Sequence, residues 1–546
     1  MKKLLSLLLC AALLTGCGSN VVPESTGTAP ISATASPPPA PITQDYISRF
    51  DYVTRITLSD EGILVDDLDN GNKNLDSVFV THDIIFYENR DVYESGNPYG
   101  EGTDADKHTA EEAAAHTVVN ITKPGAYRID GSLSAGQLRI DLGEDACDDP
   151  DAVVELILHN ADITCTVAPA IVFLNTYECD GSSSAETARP DVDTSAAGAN
   201  LILEGNNTVS GSYVAKIFKD KDGEKKLWKQ DGAIYSYMSM NVFGPGALVL
   251  NAANEGLDTE LHLTLNGGDI TIHSQNDGIN TNEDGVSVTT INGGNIHIIA
   301  GLGAEGDGID SNGWLVINGG TVVSSANPGA DAGLDSDLGS FVNGGTVIAL
   351  GSNMDWAESD SNQVTMNLQF AANQSSDAAV VVTRQDGTVI FAYDPSDDEV
   401  LAENSRVYSG AVISCANFHV GEVYHVYADG QVTGEDAGGI YDVTTVTGYT
   451  GGTQMAYTGT DVMGRPGGKG FGGEPPEGFE RGERPEKPEG MEPPEGFEPG
   501  QMPMEKPEGD FGGRGDRGDF GANAGDPNAE FFMQDQVNFF SGLTEQ

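Results

Sequence analysis

Asn266-Gly267-Gly268, Asn292-Gly293-Gly294, Asn318-Gly319-Gly320 and Asn343-Gly344-Gly345 recur in steps of 26, 26 and 25 residues. Each triplet closes one run of alternating apolar and polar residues and opens another: Leu261–Leu265 then Asp269–His273, Ser287–Ile291 then Asn295–Ile299, Trp314–Ile317 then Thr321–Ser324. Period-two alternation marks a strand with one buried face. A second phrase keeps step with the first, in Glu255-Gly256-Leu257-Asp258, Asp277-Gly278-Ile279-Asn280, Asp307-Gly308-Ile309-Asp310 and Ala332-Gly333-Leu334-Asp335. Each unit therefore holds three short strands and cannot bury its apolar face alone, whereas stacked units enclose one column of Ile, Leu and Val. The expected fold is all-β, a right-handed parallel β-helix (solenoid) whose coils sit ~4.8 Å apart. A β-propeller blade, at ~40–45 residues with four strands, is too long for this period.

Outward from the repeats, weaker coils are expected in Val153–Ile163, Ala170–Asn175, Leu201–Val209 and Ala233–Met240, which places the coil region at 151–362. A β region and cap is expected at 46–150, with 94–117 as an inserted loop, and a C-terminal β cap at 363–462, since a solenoid must cover its end strands. Residues 463–546 begin with Pro, Gly, Glu and isolated Phe and read as a low-complexity, disordered acidic tail. At the other end, Lys2 and Lys3 precede an apolar run that is too short to span a bilayer and closes in Leu14-Thr15-Gly16-Cys17. This stretch resembles a bacterial lipobox, which implies a signal at 1–17, lipidation of Cys17 and an extracellular protein anchored to the cell membrane by lipid only. Residues 18–45, rich in Ser, Thr and Pro, read as a tether. Export permits disulfides, and Cys147 or Cys165 with Cys179, or free buried thiols, all fit the sequence.

Charge narrows the partners. With 27 Lys+Arg against 84 Asp+Glu the formal net charge is −57, which repels nucleic acid and draws cations. Alternation places Asp258, Asn280, Asp310, Asp335 and a further candidate, Asp360, in one outward column, with Glu255, Asp277, Asp307 and Asp331 at the preceding corner and Asp337 beside it. Carboxylates ~4.8 Å apart repel by ~0.9 kcal/mol in water and ~3.5 kcal/mol at an effective dielectric of 20. Something must neutralise the column, and Ca²⁺, which takes six to eight oxygens with loose geometry, fits this donor set better than zinc. From Asp231 to Thr383 there is not one Lys or Arg, so the coils lack the cationic base a lyase would use. His262, His273 and His297 could substitute as the base, with His273 and His297 turned outward on adjacent coils by alternation, and a hydrolase would need a pair of carboxylates that nothing singles out. Trp314 and Trp356, with Tyr235, Tyr237 and Phe341, are the aromatics available for stacking on sugar rings or for the core.

The chain resembles a family of secreted clostridial parallel β-helix proteins, similar in shape to pectate lyases but classed as carbohydrate-binding. The resemblance rests on Asn120-Ile121-Thr122-Lys123-Pro124-Gly125-Ala126-Tyr127, on Leu156–Thr164, on Asp307-Gly308-Ile309-Asp310-Ser311-Asn312-Gly313 and on the Asn-Gly-Gly corners, over about residues 118–430. It implies Ca²⁺ held by Asp307, Asp310 and their stacked equivalents, affinity for cellulose and polygalacturonate-type polymers, and binding rather than cleavage. The expected protein is a monomeric, calcium-loaded polysaccharide-binding module, with a lyase or hydrolase on the same fold and an adhesive surface protein as the alternatives.

Overall fold

The computed structural model describes residues 46–67, 77–89, 103–179, 181–219, 225–395, 398, 400–401, 406–460 and 526–546. The lipobox, the tether and residues 463–525 of the acidic tail lie outside them. The described chain is nearly all β, and most of its strands stack in three parallel ladders.

The first ladder runs from Val53–Leu58 through Gly125–Leu133, Val154–Thr164, Asn206–Gly211, Ala247–Ala252, Asp269–Ser274, Asn295–Ile299 and Thr321–Ser325 to Thr346–Gly351. The second leaves the same Val154–Thr164 strand and continues through Ala199–Glu204, Met240–Phe243, Leu263–Leu265, Val288–Ile291 and Trp314–Ile317 to Gly339–Val342. The third is an eight-stranded sheet from Val78–Thr81 to Ile309–Ser311, parallel except at its first pair. Within each repeat the chain visits the second, first and third ladders in turn. The Asn-Gly-Gly corner always joins second to first.

In-register parallel pairing sets like on like. Leu257, Ile279 and Ile309 are partners in the third ladder, and Leu248, Ile270, Ile296, Val322 and Val347 in the first. All are between 0 and 1% exposed, and full burial of such a side chain is worth roughly 1.5–3 kcal/mol. Two sets of glycines serve the ladders, one at the corners between them and one where successive strands stack closely. At the corners Gly268, Gly294, Gly320 and Gly345 take φ between +84° and +98°, where a Cβ is strained. In the third ladder Gly256, Gly278 and Gly308 have ordinary φ but lie against the neighbouring coil, and a Cβ on Gly308 would fall 1.8 Å from Ser324 Oγ and 2.5 Å from the Gly333 carbonyl.

The structure departs from the expected boundaries in several places. The ladders begin at Val53, so the region before residue 151 is continuous with the coils, although it lacks the Asn-Gly-Gly signature. The loop at 94–117 contains a short helix, Ala110–Ala114, whose N-cap Thr109 forms a capping box with Glu112. Between the expected coils at Leu201–Val209 and Ala233–Met240, Val214–Lys219 and Lys225–Gln230 form an antiparallel pair. The tail is not low-complexity to its end. Val537–Glu545 is a strand paired in parallel with Thr365–Ser375, inside a C-terminal antiparallel sheet whose Val407–Ser414 strand pairs with the last rung of the first ladder. Among the described residues no disulfide joins Cys147, Cys165, Cys179 or Cys415, so neither expected pairing with Cys179 forms.

If close coil approach sets the need for glycine in the third ladder, Gly308→Ala should cost about 1–3 kcal/mol of stability through overpacking. Gly181→Ala, at a position without positive φ and with nothing within 4 Å of the added methyl, should cost less. Equal losses of melting temperature in the two variants would refute the packing account.

Candidate functional site

The acidic column belongs to the third ladder. Asp258 pairs with Asn280 and Asn280 with Asp310, and the bridge between Ile309 and Leu334 brings Asp335 next in line. On the other side Asp258 pairs with Tyr235, so the column starts on an apolar plug of Tyr235, Tyr237, Val172 and Met238. Both tyrosines are buried there, edge to face at 5.0 Å, and present no platform to a ligand.

Much of the column is interior. Asp258 is 0% exposed, Glu255 5%, Asn280 6% and Asp277 9%. Asp307, Asp310 and Asp335 are half-buried, and Asp337 is exposed at the far end. Neighbouring carboxylates brace one another through the backbone: the Asp307 N–H donates to Asp277 Oδ1 at 2.7 Å, and the Ala332 N–H donates to Asp307 Oδ1 at 2.5 Å. Burial, then the charges of Glu255, Asp310 and Asp307, drives the Asp277 carboxyl well above the usual carboxylate range. Burial, followed by Asp335, Asp310 and Asp331, pushes Asp307 up to about 8. Asp335 is raised as well, by burial and then Asp331.

At the buried end, carboxylate oxygens of Asp231, Glu255 and Asp258 all lie within 4.8 Å of one another. Two oxygens on opposite sides of a Ca²⁺ ion are about 4.6–5.2 Å apart, so one ion can touch all three. Asn280 donates from Nδ2 to Glu255 Oε2 at 3.2 Å and keeps its buried Oδ1 without a hydrogen-bond partner, a fourth neutral oxygen for the same purpose. Hard oxygen donors and no sulfur or imidazole are what a calcium site requires. Asp231 and Glu255 complete this cluster. Asp231 escapes the repeat pattern because it precedes the first clear repeat and reaches the cluster only through the stacking of coils.

The other candidates are scattered. Asp360 is exposed and lies on the Asn-corner side of the coils, away from the column. His273 and His297 are not level with each other, since Thr271 is the partner of His297 and Ile299 that of His273. Asp398 reaches over both, 3.7 Å from His297 Nε2, and burial, against the pull of Asp398, keeps each imidazole below its ordinary pKa. They lie under the C-terminal domain instead of on an open face. Trp356 packs edge to face on Phe539 at 5.0 Å. Trp314 is half-buried and shares the outer face of its strand with Val316.

That outer face of the second ladder carries a groove of about 650 Å³. Its floor is two parallel columns. One is the corner asparagines, hydrogen-bonded in series: Asn292 Nδ2 to Asn266 Oδ1 at 3.0 Å, Asn318 to Asn292 at 3.0 Å, Asn343 to Asn318 at 3.1 Å and Asn362 to Asn343 at 2.9 Å. The other is Asn241, Thr264, Thr290, Val316 and Phe341, partners in register. Pro190–Ser195 forms a wall, fastened by Thr194 Oγ1, which lies 2.7 Å from both Asn241 Oδ1 and Thr264 Oγ1. The recurring Asn was legible as a corner. Its role as a groove floor was not, because the wall comes from Pro190–Ser195, which lies between the expected coils and carries no repeat pattern.

Comparison with known proteins adds the family. A carbohydrate-binding domain-containing protein of Acetivibrio thermocellus is 29% identical over 174 residues, 31% of this chain and 51% of that protein. The chain thus spans about half the length of this curated relative. A solved structure described as the polysaccharide lyase-like protein from C. thermocellum, gadolinium derivative, aligns with a TM-score of 0.30 at 20% identity, over 54% of this chain and 92% of that one. The family model of carbohydrate-binding domain-containing proteins matches residues 115–417, more than half of the sequence, and the chain belongs to that family.

Proposed function

We propose that the protein is an extracellular lipoprotein whose calcium-loaded parallel β-helix binds polysaccharide without cutting it. Family membership supports the polysaccharide, and the acidic column is the observation that carries the calcium. In this reading the three ladders are the faces of a right-handed solenoid that turns once per 25 or 26 residues. Buried carboxylates must be neutralised by protons or by a cation. Ca²⁺ supplies two positive charges and accepts six to eight oxygens. Asp231, Glu255, Asp258 and Asn280 would hold one ion in the interior, where its role is structural. Toward Asp310, Asp335 and Asp337 the column opens, and there a cation shared with a uronate carboxylate turns repulsion between two polyanions into attraction. The coils from Asp231 onward offer no Lys or Arg as a base, and His273 and His297 sit beneath Asp398. Binding is therefore favoured over elimination.

Calcium should raise the melting temperature by roughly 5 °C or more, since a hundredfold excess over Kd adds about 2.7 kcal/mol. The double variant Glu255→Gln, Asp258→Asn should lose that response and be no less stable than the wild type in EDTA, because two buried charges are gone. A melting temperature that ignores both calcium and EDTA would sink the calcium reading. Polygalacturonate should bind in calcium and release in EDTA with no unsaturated product, and such product, dependent on His297, would promote the lyase.

The pH dependence has a definite sign. In the unfolded chain Asp307 titrates near ~3.9, while in the fold it holds its proton up to about 8. Its contribution to stability is thus complete below ~3.9 and is lost as pH rises through about 8. In EDTA, stability should fall between pH 5 and above about 8. Asp307→Asn should flatten that slope, as should saturating calcium, and thermal melts across this range in EDTA decide it.

Anchorage follows from Leu14-Thr15-Gly16-Cys17. Cys17→Ser should shift the protein from the membrane fraction to the medium or leave it unprocessed. Unchanged fractionation would refute lipidation.

A further inference from the structure

We infer that the groove on the asparagine ladder is a second glycan site, which takes an uncharged, extended polysaccharide lying across the coils and does so without calcium. The inference rests on the polysaccharide-binding reading and adds to it the place where a neutral chain is held and its independence of calcium.

Three observations carry it. The first is repetition. Each link of the ladder spends one amide hydrogen of the later Asn and one carbonyl lone pair of the earlier. An Asn side chain has two N–H donors and two acceptor lone pairs, so Asn292 and Asn318 each keep one of each for a ligand, while Asn343, whose Oδ1 accepts from both the backbone N–H and Nδ2 of Asn362, keeps one N–H. Rungs ~4.8 Å apart present a remaining N–H again at each of these coils, which suits a polymer whose hydroxyls recur along its length. The second is charge. The lining contains Asp191, Asp193 and Asp360 and no Lys, Arg or His, so a polyuronate is repelled and a neutral chain is not. The third is shape. Phe341 stands near one end of the groove and Phe243, which packs on Tyr46 at 4.7 Å, at the other, both half-buried, with Val316 and Thr290 between them. The Phe341 ring and the amides along the floor are the complementary surfaces of a pyranose chain, apolar on its C–H faces and polar at its edges. The wall is held in place before any ligand arrives, because Asn241 Nδ2 also donates to the Thr194 carbonyl at 2.8 Å. A preformed site of this kind costs little ordering on binding.

Affinity electrophoresis of the full chain tests the inference, in gels containing mixed-linkage β-glucan, β-mannan or polygalacturonate, each with calcium and with EDTA. At least one neutral polymer should retard the wild type equally in both conditions. Phe341→Ala should weaken that retardation about tenfold, and Val316→Trp, which fills the groove, should abolish it. Both variants should keep the calcium-dependent retardation by polygalacturonate, which also certifies that they are folded. Asn318→Ala, which removes one rung, should weaken neutral binding while Asn312→Ala, off the groove, should not. Neutral binding that survives Val316→Trp, or no neutral binding beside intact polygalacturonate binding, overturns the groove and leaves the calcium-dependent site standing. Absence of binding to every polymer overturns both.

Discussion

Parallel strands in register place each residue against its equivalent in the next coil, ~4.8 Å away, and nearly everything in this molecule follows from that constraint. For Leu257, Ile279 and Ile309 the result is a dry apolar column. For the corner asparagines it is a chain of amide hydrogen bonds. For Asp and Glu it is like charge against like charge in an interior that cannot solvate them, and the raised carboxyls of Asp277 and Asp307 are the direct expression of that cost. The same spacing is thus stabilising in two columns and costly in a third. Protons offset that cost in the fold as it stands, which is what the raised carboxyls express.

Glycine makes the spacing attainable. At Gly320 the chain needs a positive φ to leave one ladder for the next, and at Gly308 it needs the absence of a side chain. Both requirements appear as the same letter in the sequence, although one is a matter of dihedral angle and the other of contact between coils.

The coils were legible where their corners carried Asn-Gly-Gly, and the strands there lie within one or two residues of the alternating runs. Earlier coils such as Gly125–Leu133 were read as a cap because without those corners a parallel rung looks like any strand. The pairing of Val537–Glu545 with Thr365–Ser375 joins segments far apart in sequence, and no local pattern encodes such a partner. At the site, the order Asp258, Asn280, Asp310 could be read from register alone. Its burial could not, since Tyr235 and the segments around it close one end of the column. His273 and His297 faced outward by alternation, yet what covers them belongs to a distant stretch near Asp398.

The asparagine chain also has a polarity. From Asn362 to Asn266 each of the four links runs the same way, from the Nδ2 of the later Asn to the Oδ1 of the earlier one. Dipoles aligned head to tail reinforce one another, so the two ends of the groove differ electrically although their residues are alike. A sugar polymer has chemically distinct ends too. A chain laid along the ladder one way is therefore not equivalent to the same chain reversed, and neighbouring copies of the protein on one fibre would share a common heading.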